Sequence, residues 1–325
     1  MPSIEMRRRD FLRLMAGGTA AALIGKSSSA EALPGPKTVV YKVADKCEIK
    51  ADVYPAADGT RNPAVMWAHG GALIQGSRKW IDRPFLGELR KRGFAVVSID
   101  YRLAPETKLV AIIEDLQDAW KWLRKQGPEQ FGIDPQRIAV AGGSAGGYLA
   151  LMAGFCLDPR PRALVSYYGY GDIGTPWYAK PDDFYRRQTL VSKEDALRSV
   201  GERAISEDPA GSQRGRFYLY CRQNGIWPSE VTGHDPAAEP KWFDGYCPIR
   251  NVTDKYPPVM LIHGAEDTDV PYQESSNMAA RLTEAGIKHE FVTVKGAGHM
   301  LSGAKPEEVA RIAADAADFV KSQTG

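Results

Sequence analysis

The run Gly142-Gly143-Ser144-Ala145-Gly146 places a serine in a Gly-x-Ser-x-Gly turn, directly after the apolar stretch 138–141 and before a small-residue helical pattern. A strand–turn–helix setting of this kind lifts the hydroxyl out of a sheet and aims the backbone N–H groups that follow it at the same point. The start of the helix adds a partial positive charge there. Nucleophilic acyl transfer has these needs, so Ser144 is the candidate nucleophile. A phosphate loop is the competing reading of a Gly-rich turn, but the Lys-Ser/Thr ending of a P-loop is missing. A dinucleotide loop belongs in a first βα unit, not after a fifth strand.

Attack on a carbonyl needs donors for the developing oxyanion, a base for the serine and an acid to orient the base. His69-Gly70-Gly71-Ala72 closes the buried run 64–68. Backbone next to glycine approaches a ligand without a side chain in the way. The N–H groups of Gly70, Gly71 and Ala145 are therefore assigned to the oxyanion hole, with His69 holding the loop by hydrogen bonds. Of the five histidines, His299 follows the last strand in Gly296-Ala297-Gly298-His299 and is the candidate base. His263 closes a strand and reads as a buried structural residue. His289 leads into a strand at the opposite edge, and His234 reads as a surface residue. The acid falls in the loop Gly264-Ala265-Glu266-Asp267-Thr268-Asp269-Val270-Pro271. Asp267 is the choice because it sits in the turn before the next helix. Asp269 is the runner-up, and Glu266 is expected to face solvent. The chain order is then serine, acid, histidine.

Positioning these groups requires a sheet whose strands end on one edge. Short β-rich runs at 38–43, 48–54, 64–68, 95–99, 137–141, 163–168, 259–263 and 290–294 alternate with helical spacing at 78–92, 110–126, 145–157, 273–285 and 306–322. After an opening antiparallel pair, this alternation implies right-handed crossovers and a mostly parallel sheet flanked by helices. The pattern breaks between 171 and 256, a stretch rich in Trp, Tyr, Arg, Gly and Pro. It reads as a cap inserted between the nucleophile and acid strands, over the sheet edge where ligands of open α/β sheets bind. Trp177, Trp227 and Trp242 argue against disorder there.

The chain has 325 residues, 43% hydrophobic and 25% charged, enough for one large domain with an ordinary core. A net charge of +2 suggests neither nucleic acid nor an anionic membrane as partner. Arg7-Arg8-Arg9-Asp10-Phe11-Leu12, an apolar stretch at 14–25 and Ala30-Glu31-Ala32 follow the basic–apolar–small order of an export signal over residues 1–32. The Arg-Arg-x-Phe-Leu order resembles the bacterial twin-arginine signal, and implies a periplasmic or secreted protein starting near Leu33. The apolar run is too short for a comfortable membrane span. None of Cys47, Cys156, Cys221 and Cys247 has metal or redox spacing. In an oxidising compartment Cys221 and Cys247 are the first pair expected to form a disulfide, whereas Cys156 reads as a small buried hydrophobe.

The His-Gly-Gly run, the segment Asp100-Tyr101-Arg102-Leu103-Ala104-Pro105, the Gly-Gly-Ser-Ala-Gly-Gly elbow and the late Asp and His together resemble the hormone-sensitive-lipase-like and bacterial acetyl-esterase-like carboxylesterases of the α/β-hydrolase superfamily. The resemblance covers residues 38–325 apart from 171–256. It implies an eight-stranded mixed sheet, no metal or organic cofactor, and hydrolysis of a small-molecule ester through an acyl-serine. Asp100 and Arg102 would be scaffold. Ala72 departs from the family's third glycine, and the position of the cap departs as well, so substrate preference does not carry over. Aromatic residues in the cap fit a ligand with a ring or sugar, such as an acetylated or feruloylated glycan. A serine peptidase of the same fold and a binding protein on an inactive hydrolase fold are the other two readings.

Overall fold

The computed structural model describes residues 35–325 except positions 58 and 60; the export signal expected at 1–32 lies outside the described residues. The eight strands are β1 (Lys37–Ala44), β2 (Cys47–Tyr54), β3 (Asn62–Ala68), β4 (Ala95–Ile99), β5 (Ile133–Gly143), β6 (Leu164–Tyr167), β7 (Val259–Gly264) and β8 (His289–Val294). They form one sheet in the order β1-β2-β4-β3-β5-β6-β7-β8. β1 and β2 pair antiparallel, β2 joins β4 antiparallel, and every pairing from β4 through β8 is parallel. The expected mostly parallel sheet is therefore borne out. All five residues of Ala95–Ile99 and all four of Leu164–Tyr167 are buried. This explains why these runs show no alternation: both faces of a parallel strand are covered.

Helices α1 (Arg83–Lys91) and α10 (Pro306–Thr324) cover one face, where Phe85 and Leu89 meet Ile312, Ala316 and Val320 in a common core with Val65, Ala139 and Val165. On the other face lie α2 (Leu109–Phe131), α3 (Ala145–Cys156) and α9 (Tyr272–Glu284), packed on Met66, Val97, Val140 and Leu261. The burial pattern decides the layers. Residues 64, 66 and 68 of β3 face one core, and 65 and 67 the other.

Three local expectations are corrected. The helix expected over 78–92 starts only at Arg83, because Asp82 caps it by accepting from the Phe85 N–H at 2.8 Å and Pro84 suits its first turn. Arg78 instead turns inward and pairs with Asp52 at 3.0 Å and Asp100 at 2.6 Å. The second helix runs past residue 126 to Phe131, carrying Pro128 within it and ending on the left-handed Gly132. Cys221 and Cys247 are free thiols: Cys221 is buried in the insertion, while the Cys247 thiol donates to Asp172 Oδ1 at 3.1 Å.

Between β6 and β7 the chain forms short helices, α4 (Pro176–Ala179), α5 (Asp183–Arg186), α6 (Lys193–Leu197), α7 (Arg214–Asn224) and α8 (Trp227–Thr232), followed by 3₁₀ turns at Pro240–Tyr246 and Pro248–Asn251. Their aromatic residues form a packed layer in which Tyr178 stacks on Trp227 at 4.0 Å and Tyr170 meets Tyr178 edge-on at 5.4 Å. Arg214, fully buried, ties this layer to the loops after β3 and β4 by donating to Ile74 O at 2.6 Å and to Ala104 O, and by pairing with Glu106 at 2.7 Å. Among the described residues no helix is long and apolar enough to cross a membrane.

Candidate active site

The turn after β5 is tight. Ser144 has φ 56° and ψ −121°, a conformation that side chains rarely adopt. It is held between the Tyr167 carbonyl, which accepts from its N–H at 2.9 Å, and the Tyr148 N–H, which donates to its carbonyl at 3.0 Å. The following helix passes so close to β3 that a Cβ on Gly146 would stand 2.0 Å from Ala68 O, so only glycine fits. Strand, strain and close approach together put Ser144 at the C-terminal edge of the sheet, with α3 starting at Ala145.

His299 reaches the same point from the 3₁₀ turn after β8. Its Nδ1–H donates to Asp267 Oδ2 at 2.7 Å, which leaves Nε2 to accept from Ser144 Oγ at 3.1 Å. Asp267 stands after β7, and its Oδ1 accepts from the N–H groups of Asp269 at 2.8 Å and Val270 at 2.9 Å. The structure thus brings together Ser144, Asp267 and His299, three residues that the sequence draws from three strand ends. Glu266 is exposed, as expected.

Two further groups on this chain carry weaker sequence signals. His263, at the end of β7, faces Asp267 Oδ2 through Nε2 at 3.2 Å while its Nδ1 takes the Ser275 hydroxyl at 2.7 Å. It is buried, as expected, but it also supports Asp267. Burial alone would raise the Asp267 carboxyl; the hydrogen bonds from His263 and His299 outweigh it and hold the group well below the usual carboxylate range. Asp269 does not orient the imidazole through Nδ1. Its Oδ2 lies 3.4 Å from the opposite nitrogen, Nε2. Burial pulls the His299 pKa down, but the charges of Asp269 and Asp267 push it above its ordinary value. Tyr168 closes one side, its ring edge-on to the imidazole at 5.0 Å.

The loop after β3 lies against Ser144. A Cβ on Gly70 would stand 3.2 Å from Ser144 Cβ. Gly71 has φ +106°, and a side chain there would strike Gln75 O at 2.1 Å. Ala72 and Leu73 follow in left-handed conformations at φ 56° and 61°. His69 braces the loop, its Nδ1–H donating to Gly70 O at 2.7 Å and its ring stacked on Tyr101 at 4.2 Å. Burial lowers the His69 pKa to about 4, so it is a neutral strut. The insertion adds a second brace, with Trp227 Nε1 donating to Ala72 O at 3.0 Å. Asp100 and Arg102 bind scaffold partners, Arg78 and Asp115. His289 and His234 lie apart from this cluster and bond Ile287 O and Glu239. Among the described residues no group of three or more His, Cys, Asp or Glu could hold a metal.

The sheet order, the strained serine turn and the three converging strand ends define an α/β hydrolase. A profile of the alpha/beta hydrolase fold matches residues 65–302, and the chain belongs to that family, in its hormone-sensitive-lipase-like and acetyl-esterase-like part. Esterase LipC of Mycobacterium tuberculosis is 29% identical over 261 residues, which cover 78% of this chain and 58% of that protein. The non-reducing polyketide synthase stbA of Stachybotrys bisbyi is 30% identical over 304 residues, which are 81% of this chain and 13% of the synthase. The chain therefore spans only part of the curated relatives it matches. A crystal structure of a protein of unknown function from Staphylococcus aureus superposes with a TM-score of 0.74 at 21% identity, over 89% of this chain and all of that one.

Proposed function

We propose that the protein hydrolyses carboxylic esters through an acyl-serine. The observation that carries this reading is the hydrogen-bonded relay from Asp267 through His299 to Ser144, with 2.7 and 3.1 Å between successive atoms. His299 Nε2 takes the hydroxyl proton as Ser144 Oγ bonds to the ester carbonyl carbon. Negative charge then moves to the carbonyl oxygen, where the N–H groups of Gly70, Gly71 and Ala145 stabilise it. Collapse breaks the bond to the alcohol, which leaves with the proton from Nε2. A water then gives its proton to Nε2 and attacks the acyl-serine; Ser144 recovers its proton and the acid departs. Asp267 holds the imidazole in the Nδ1–H tautomer and stabilises its cation in both halves. No cofactor takes part in these steps. The esterase named among the relatives supports an ester substrate over an amide.

Hydrolysis of p-nitrophenyl acetate by the purified protein tests the reading. Wild type is expected to turn over. Ser144→Ala and His299→Ala are expected to lose on the order of 10⁴-fold or more in kcat, as removal of members of such triads does. Undiminished turnover in Ser144→Ala would remove the serine from the mechanism, and ligand binding without turnover in wild type would favour a receptor.

A further inference from the structure

We infer that Asp269 selects the leaving group: its free carboxylate oxygen accepts from a hydroxyl or ammonium carried on the carbon next to the ester C–O bond. The inference rests on the esterase reading above and adds the class of alcohol. Asp269 sits two residues beyond the acid, yet the insertion holds it. Oδ1 accepts from Tyr185 Oη at 2.8 Å, from Tyr218 Oη and from Arg222 Nη1 at 2.8 Å. Arg222 is almost fully buried, lies over the Tyr185 ring at 4.8 Å and the Tyr178 ring at 5.0 Å, and pairs through its other arm with Asp182 at 2.6 Å. Three donors from α5 and α7 therefore fix the rotamer and use only one of the two oxygens.

The other oxygen, Oδ2, faces His299 Nε2 at 3.4 Å. Nε2 is the atom that must return a proton to the departing alcohol, whose oxygen has to come within roughly 3 Å of it. The leaving oxygen and Asp269 Oδ2 thus share a neighbour. A donor two carbons away from that oxygen spans the remaining gap, whereas an alkyl chain would cover the carboxylate oxygen and leave it without a partner. Charge points the same way. The carboxylates of Asp267 and Asp269 flank the His299 imidazole on its two nitrogens, and Arg222 is paired with Asp269. The preferred alcohols are accordingly polyols and amino alcohols, and simple alkyl alcohols are disfavoured.

The test compares kcat/KM for 2-hydroxyethyl acetate, 2-(dimethylamino)ethyl acetate and 2-methoxyethyl acetate, each divided by its hydroxide-catalysed rate. The methoxy ester lies between the other two in size and has no donor. Wild type is expected to prefer the two donor esters by on the order of tenfold, the worth of one hydrogen bond to a charged group. Asp269→Ala should bring both ratios toward one. Asp269→Asn, which keeps an acceptor without the charge, should lose the ammonium preference and retain part of the hydroxyl preference. Ratios near one in wild type overturn the inference without any variant, and ratios unchanged in either variant overturn it as well. Turnover of p-nitrophenyl acetate separates this failure from that of the esterase reading, because a protein that hydrolyses none of the acetates sinks both.

Discussion

His299 stands between two carboxylates, and that position sets its working range. Burial opposes the charged imidazolium, as does Arg222, while Asp269 near Nε2 and Asp267 on Nδ1 favour it; the balance lies above the ordinary value of 6.5. A base has to be neutral to accept the serine proton, so activity is present above this raised pKa and is lost as pH falls through it. The acid limb of a kcat/KM profile with p-nitrophenyl acetate is therefore expected above pH 6.5. Asp269→Asn removes the larger of the raising charges and should move that limb downward; a limb that stays in place would remove Asp269 from the electrostatics of the base. Asp267 and His299 were legible in the sequence because each follows a strand in a short, Gly-bounded loop. The support of Asp267 by His263 was not. A histidine at a strand end carries the same local signal whether it packs against apolar neighbours or faces a carboxylate. Asp269 was legible only as a competitor for the role of acid, since its contacts come from Tyr185, Tyr218 and Arg222, 47 to 84 residues away.

At the scale of elements, the sheet was legible and the insertion was not. Strands such as Ala95–Ile99 and Leu164–Tyr167 announce themselves by short unbroken apolar runs. The elbow announces itself by glycines that steric contact demands. The insertion has no long periodic segment: its helices run from 4 residues in α4 and α5 to 11 in α7, and rings and buried arginines fix them from a distance. Its consequence for the oxyanion loop is testable at one bond. Trp227 stacks on Tyr178 and donates to Ala72 O, within the left-handed stretch Ala72–Leu73. Trp227→Phe keeps a ring in the stack and deletes the donor. Losing one such buried hydrogen bond costs about 1–3 kcal/mol. If the brace positions the loop, kcat should fall by more than KM changes, while the thermal midpoint drops by only a few degrees. A lower midpoint with unchanged kcat would make Trp227 a packing residue only.

For the whole molecule, the eight-stranded sheet carries Ser144, Asp267 and His299 on the ends of β5, β7 and β8, and the segment between β6 and β7 supplies the aromatic and charged residues around them. The leading residues belong to a separate question. From Arg8-Arg9-Asp10-Phe11-Leu12 we propose export of a protein folded before transport. If so, the free thiols of Cys221 and Cys247 fit a fold that needs no oxidation to form. Replacing Arg8 and Arg9 together by Lys is expected to retain the protein inside a bacterium that carries this pathway, as read by fractionation and immunoblot. Equal export of the double variant would contradict a twin-arginine route. The central claim is that one serine, activated by one histidine, performs the chemistry. Labelling the purified protein with a fluorophosphonate, read by intact mass and peptide mapping, tests it most directly. A single adduct on Ser144, absent in Ser144→Ala and strongly slowed in His299→Ala, is the predicted result. An adduct on another residue, or none on the folded protein, would contradict it.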